Sequence, residues 1–271
     1  MKSIFEIENR LDIQKEFERF LKVFHHLKEI RLHEYSEQYI TLFSYFDVFI
    51  FKKWKFRDTM LTTSEYLEHI GITKNILAKT EKIDKEKFLR YIEFVMNLLK
   101  EAGYPLFNKI RDESMLAPTI ENIEIVLEKM NYQVVELEDR RILTKRNADV
   151  DSVLAEVLLP QDITYVLLEY NDFRIEKDLE AKRKLLKQLD LYIEKNIKIR
   201  EFDKELEDSI GVIVNKMGVN HPIKYEPYKS FSNEELMEWY DKCFLMMIHA
   251  IRSVEVNTIK RKRKALESTS K

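Results

Sequence analysis

The chain has 271 residues, enough for one large domain or two ordinary ones, and 45% of them are hydrophobic, so a sizeable core can be buried. Four glycines occur where average usage would give about nineteen, and prolines number five, which argues against a hairpin-rich sheet fold and a glycine-rich phosphate cradle. Lys and Arg total 46 against 48 Asp and Glu, a net charge of −2, so global charge selects no nucleic-acid partner and local patches must decide.

The first residues, MKSIFEIENRLDIQKEF, are charged throughout and contain no apolar signal core, which favours a cytoplasmic location. Residues 5–34 read as one or two helices, because Phe5, Leu11, Phe17, Leu21, Phe24, Leu27 and Leu32 recur at helical spacing. The most apolar stretch, Tyr39 to Phe51, carries Asp47 and is followed by Lys52 and Lys53. It is too short to span a bilayer, which needs about twenty apolar residues, so a helix over 37–54 belongs at the centre of a bundle. A short helical pair follows, with Thr63 as the first cap and Gly71 at the turn. Asp84 caps a long helix that ends at Gly103, with Pro105 just beyond.

Residues 104–118 carry two prolines and no clear period, and they form the expected linker between an N-terminal helical domain, 1–103, and a C-terminal one, 119–271. Thr119 caps the next helix, to about Asn131. The β-branched runs YQVVELE and RILTK, joined around Asp139 and Arg140, predict one small hairpin over 132–146. Helix resumes near Asn147, breaks at Pro160, and continues as long amphipathic segments over 176–199 and 201–217. A loop over 218–231 leads to Ser232 and Glu235, a capping box for a strongly apolar last helix that ends in the basic tail KRKRK, 260–264. The expected fold is mainly α: helical bundles with one hairpin.

Chemistry-bearing residues are sparse. The six histidines, among them His25, His26 and His33, form no HExxH or similar arrangement, so neither a metal site nor a cofactor is expected. Acidic stretches such as EFDKELEDS read as solvated helix surface. Cys243 is the single cysteine and lies among Phe244, Leu245 and Met246, where it packs as a small hydrophobe. Arg19 precedes His25 by six positions, which resembles the Arg–His spacing of HEPN-class helical ribonucleases. That resemblance implies a histidine relaying a ribose hydroxyl proton and an arginine stabilising phosphate charge. Asn220 and His221 sit in the irregular loop, flanked by rigid helices, where polar function concentrates. Two features point to phosphate: a helix-turn-helix cadence over 64–78 and a hairpin bearing Arg140, Arg141, Lys145 and Arg146 as a possible wing. The tail residues Lys260, Arg261, Lys262, Arg263 and Lys264 add sequence-independent positive charge.

Residues 166–194 and 219–244, with the helix–hairpin before them, resemble helical, HEPN-like proteins associated with bacterial abortive infection, the match running mainly over 120–245. In such proteins the segment matching 219–222 often reads Ile-Arg-His-Asn; this chain has Val219-Asn220-His221-Pro222, keeping the histidine and losing the arginine and the following asparagine. The resemblance implies a helical C-terminal region and a role in antiviral defence. The leading expectation is an interaction or sensor protein acting through a partner protein, through a second copy of this chain in a homodimer, or through RNA or DNA. The alternatives are a HEPN-like metal-independent ribonuclease and a winged-helix-like DNA-binding regulator, and no membrane partner is expected.

Overall fold

A computed structural model describes residues 11–32, 37–111 and 113–269, with no side chain described beyond Val254. Among the described residues it contains eleven helices and two small antiparallel two-stranded sheets, the mainly-α architecture that scarce glycine and helical periods imply. The chain divides into two compact units, Met1–Thr144 and Lys145–Lys271. Residues 104–118, the expected linker, therefore fall inside the first unit, and so does the hairpin apart from Lys145.

In the first unit, Asp12 caps α1 (Ile13–Leu21), which passes directly into a π-helical turn, Lys22–His26. The helical reading of residues 5–34 does not extend to its end: Ile30–Arg31 is a short strand, β1, paired with β2 (Tyr39–Ile40). Ile30 is fully buried and its backbone also bridges Ile110, so tertiary pairing overrides helical spacing there. The apolar run after Thr41 is broken up in the same way, into α2 (Leu42–Tyr45), a π turn over Phe46–Ile50 and a 3-10 turn over Phe51–Lys53. Asp47, the charge within that run, accepts a 2.7 Å hydrogen bond from the Thr63 backbone N–H. It thereby helps to start α3 (Thr63–His69), whose capping side chain is Thr62 rather than Thr63. A turn through Gly71, at φ +87°, leads to the single-turn helix α4 (Lys74–Leu77).

Asp84 caps α5 (Lys85–Phe107) as expected, but the helix does not stop at Gly103. That residue bends the chain at φ +56°, ψ −158°, and one more turn follows to Phe107. The helix α6 (Leu116–Lys129) is also started from elsewhere: Glu29 accepts from the Met115 backbone N–H at 2.9 Å and from the Ser114 hydroxyl at 2.7 Å. Thr119 is not its cap; its hydroxyl donates back to the Met115 carbonyl from within the helix. The strands β3 (Tyr132–Glu136) and β4 (Arg141–Lys145) then form the hairpin.

α5 holds that hairpin by a side-chain imitation of a strand. The Asn97 amide accepts from the Arg141 N–H and donates to the Arg141 carbonyl, both at 2.8 Å, and Glu93 accepts from the Leu143 N–H at 3.0 Å. The core of this unit is aromatic. Phe20 lies parallel to Phe24 and Phe88, and Tyr66 stacks on Phe94 with ring centroids 4.5 Å apart.

In the second unit, Asn147 caps α7 (Ala148–Glu156), Pro160 precedes α8 (Gln161–Tyr170), and Asp178 and Asp203 cap α9 (Leu179–Asn196) and α10 (Lys204–Lys216). Before α11 (Asn233–Thr269), Ser232 and Glu235 exchange the two hydrogen bonds of a capping box, at 2.7 and 3.2 Å. α11 continues well past the apolar stretch, so residues 260–264 lie within a helix. The core is a seam of Leu185, Leu186, Leu189 and Ile193 from α9 against Tyr240, Phe244, Met247 and Ile251 from α11. Each such side chain contributes about 1.5–3 kcal/mol by leaving water. Tyr170 closes the seam, its ring 3.8 Å from that of Phe244, while its hydroxyl donates to Asp241. No helix among the described residues is long and apolar enough to cross a membrane.

Because Asn97 satisfies both backbone groups of Arg141, Asn97→Ala strands a donor and an acceptor against α5. Urea unfolding is expected to show a loss of about 2 kcal/mol, and an unchanged midpoint would mean that the clamp is dispensable.

Candidate functional site

Arg19 and His25 have separate surroundings. Arg19 is on the exposed side of α1, its guanidinium 3.0 Å from Glu16. His25, in the π turn, lies with its ring 3.7 Å from that of Phe43, and its Nε2 is 3.2 Å from the Tyr91 hydroxyl. Burial, with the neighbouring His26 adding to it, holds the His25 pKa down to about 3. A ring kept neutral this firmly is a poor proton relay near pH 7, where the most effective catalytic groups have matching pKa values. The structure does not bring Arg19 and His25 into one cleft. His33 lies outside the described residues.

The cations of the hairpin are engaged by the chain itself. Arg141 makes a 2.6 Å ion pair with Glu136, which also binds Lys100 at 2.9 Å. Hydrogen bonds from Lys100 and Arg141 hold the Glu136 carboxyl below the usual range. The Arg140 guanidinium sits 5.5 Å from the Phe56 ring centroid, Lys145 pairs with Glu176 at 3.5 Å, and Arg146 also has a partner. Lys260, Arg261, Lys262, Arg263 and Lys264 belong to α11, and their side chains lie outside the described residues.

Asn220 and His221 diverge although adjacent. The chain leaves α10 through Gly218 at φ +95°, where a Cβ would stand 3.2 Å from Ile223 and 3.3 Å from the Tyr240 hydroxyl, so glycine is required. The Asn220 backbone N–H then closes on the Val214 carbonyl at 2.9 Å, and its side-chain Nδ2 donates to Asp190 Oδ2 at 2.9 Å. His221 is exposed, with no hydrogen-bond partner among the described residues.

That bond leads to the second unit's cleft. Asp190, on α9, is only 5% exposed, and it lines a cleft of about 910 Å³ between the end of α9, the turn at Lys198–Glu201, and α10. The volume suits a small organic ligand. Ile193, Ile197, Ile199, Ile210 and Val212 give the walls apolar surface. At the rim Lys198 pairs with Glu201 and Arg200 with Glu207. Burial pushes the Asp190 carboxyl pKa up; the Asn220 hydrogen bond pulls it part of the way back, and the Glu194 charge raises it again. Burial, followed by the Asp190 charge, pushes the Cys243 thiol up to about 12, so it stays protonated and unreactive at neutral pH.

Sequence reasoning found Asn220 but missed Asp190. The signal was its place: Leu186, Leu189 and Ile193 flank it on the apolar stripe of α9, where a solvated carboxylate does not belong. Among the described residues no group of three or more His, Cys, Asp or Glu is placed to hold a metal ion. No protein-family model, curated protein or solved structure matches the chain.

The low His25 pKa makes a pH prediction. Between about 3 and the ordinary 6.5 the folded chain binds fewer protons at this ring than the unfolded chain does. Its contribution is therefore complete above pH 6.5 and is lost as pH falls towards 3. Comparing urea midpoints at about pH 7.5 and about pH 5, the wild type should lose more stability than His25→Gln. Equal losses would place the ring in water.

Proposed function

We propose that this chain is a helical interaction protein of bacterial antiviral defence, of the abortive-infection type, that acts by docking a partner protein. The resemblance over 166–194 and 219–244 supplies the biological setting. One observation carries the docking: Tyr104 and Phe107, one helical turn apart at the end of α5, are 76% and 46% exposed, and Met115 a little further on is 56% exposed. The bend at Gly103 sets this last turn off from the rest of α5. Aromatic residues and methionine are enriched at protein interfaces, and aromatic anchors dominate their energetics. The side chains nominated for catalysis favour the same reading, because Arg19, His25 and Asn220 are occupied by Glu16, by Phe43 with Tyr91, and by Asp190.

Metal-independent RNA cleavage is the second reading, and it draws on His221, which is exposed and has no hydrogen-bond partner among the described residues. Against it, the adjacent position holds an asparagine committed to Asp190 rather than an arginine.

Phage plating on cells that express the chain tests the first reading. Wild type is expected to reduce plaque numbers relative to an empty vector. Tyr104→Ser with Phe107→Ser should abolish protection at equal protein level and equal thermal stability, because each truncated anchor costs about 2 kcal/mol or more. Protection that survives the double substitution would exclude this surface, and no protection by wild type would count against the defence role. Total RNA incubated with the chain in EDTA should remain intact; cleavage lost in His221→Ala would move the assignment to the second reading.

A further inference from the structure

Two features meet in the cleft between α9 and α10, and one more lies behind it. The first is Asp190. Its Oδ2 is held by Asn220, and its Oδ1 has no partner among the described residues, although the residue is 95% removed from solvent. The second lies behind the first: Asn220, which does not line the cleft, carries a buried Oδ1 with no hydrogen-bond partner on the amide that grips Asp190. An acceptor left unpaired away from water costs about 1–3 kcal/mol, and of these two residues Asp190 is the one that lines the cleft, where a ligand's donor can reach it.

The third is Gly211. It sits within α10 on the cleft wall, and a Cβ added there would meet nothing within 4 Å. Glycine inside a helix costs about 1 kcal/mol relative to alanine, yet neither backbone conformation nor a close neighbour requires it here. What its missing side chain preserves is open space above the isoleucines of the cleft.

We infer that this cleft is a binding site for an organic cation, a guanidinium or primary ammonium head on a short hydrocarbon stem, with Asp190 as its anchor. The Asp190 oxygen that Asn220 leaves free is an acceptor, so the ligand must donate. Glu194 and Asp208 also line the cleft without an ion pair, whereas Lys198 and Arg200 are paired with Glu201 and Glu207. Lys216 is the one further cation of the lining, set over the Tyr225 ring, so with Asp190 ionised the carboxylates outnumber the cations. A hydrogen-bonded carboxylate matches a guanidinium or ammonium group, and Ile193, Ile197 and Ile210 offer the stem apolar contact. The carboxylates form no set able to hold a metal ion, which favours a ligand that brings its own apolar part. The site is independent of the docking surface proposed above, and it would give an interaction protein an input.

The test is calorimetric titration of the full chain with n-butylguanidinium, beside the neutral isostere n-butylurea. The expected result is saturable one-to-one binding of the cation and none of the urea. Asp190→Asn should weaken that binding by about ten-fold or more, as expected when a charge-assisted contact of at least 1.4 kcal/mol is lost. Gly211→Leu should fill the cleft and block binding while α10 becomes no less stable, so a failure to fold in the first variant leaves the second to decide. Glu238→Gln, an exposed carboxylate outside the cleft, should change nothing. Absence of saturable binding, equal binding of n-butylurea, or binding retained in both cleft variants would overturn the proposal, the first meaning that water alone satisfies the free Asp190 oxygen.

Discussion

Burying a carboxylate in an apolar helix seam is costly unless its oxygens are met, and in the second unit one hydrogen bond, Asn220 Nδ2 to Asp190 Oδ2, meets half of that demand. It ties the loop that leaves α10 to the middle of α9. Gly218 makes the turn that brings Asn220 there, and the Tyr240 hydroxyl, donating to the Met217 carbonyl, fixes the turn against α11. The exposure of His221 follows from this arrangement, because its neighbour points inward. The cleft follows as well: Asp190 marks where the isoleucine surface of α9 turns polar, and the far oxygen is left for something else.

The first unit solves a different problem by similar means. Its core is built from rings, and the histidine most easily taken for a catalyst is one of them, stacked on Phe43 and bonded to Tyr91. Polar side chains there organise backbone rather than perform chemistry: Asn97 completes the hairpin edge, Asp47 helps to start α3, and Glu29 starts α6. Thr144 Oγ1, by contrast, is buried without a hydrogen-bond partner among the described residues, and the turn carrying Tyr104 and Phe107 stays exposed.

The helices and the hairpin were legible because their signals are periodic and local. Ser232 and Glu235 read as a capping box and form one. The misses share a cause, which is that the deciding partner is distant in sequence. Thr62 rather than Thr63 caps α3 because Asp47 reaches the Thr63 N–H, and Glu29 displaces Thr119 as the start of α6. A two-residue strand such as Ile30–Arg31 has no alternation to detect, and only its pairing with Tyr39–Ile40 defines it. The acidic stretch 201–209 read as solvated surface, and Glu201, Glu205 and Asp208 are exposed, with Glu207 and Asp208 also lining the cleft because the fold turns α10 back along α9. Asp190 was in principle detectable, as a charge on an apolar stripe; Gly211 was too, as a glycine inside an amphipathic helix.

The central claim is that Asp190 is a buried carboxyl held ready for a cation, and its own titration tests this most directly. With Asp190 followed by carbonyl-carbon NMR in the full chain, the free protein should show a pKa above the ordinary aspartate range, as burial requires. Saturating n-butylguanidinium should lower it, because an opposite charge at Oδ1 favours the ionised form. An ordinary pKa that the cation leaves unmoved would contradict the account and return Asp190 to the solvated surface of α9.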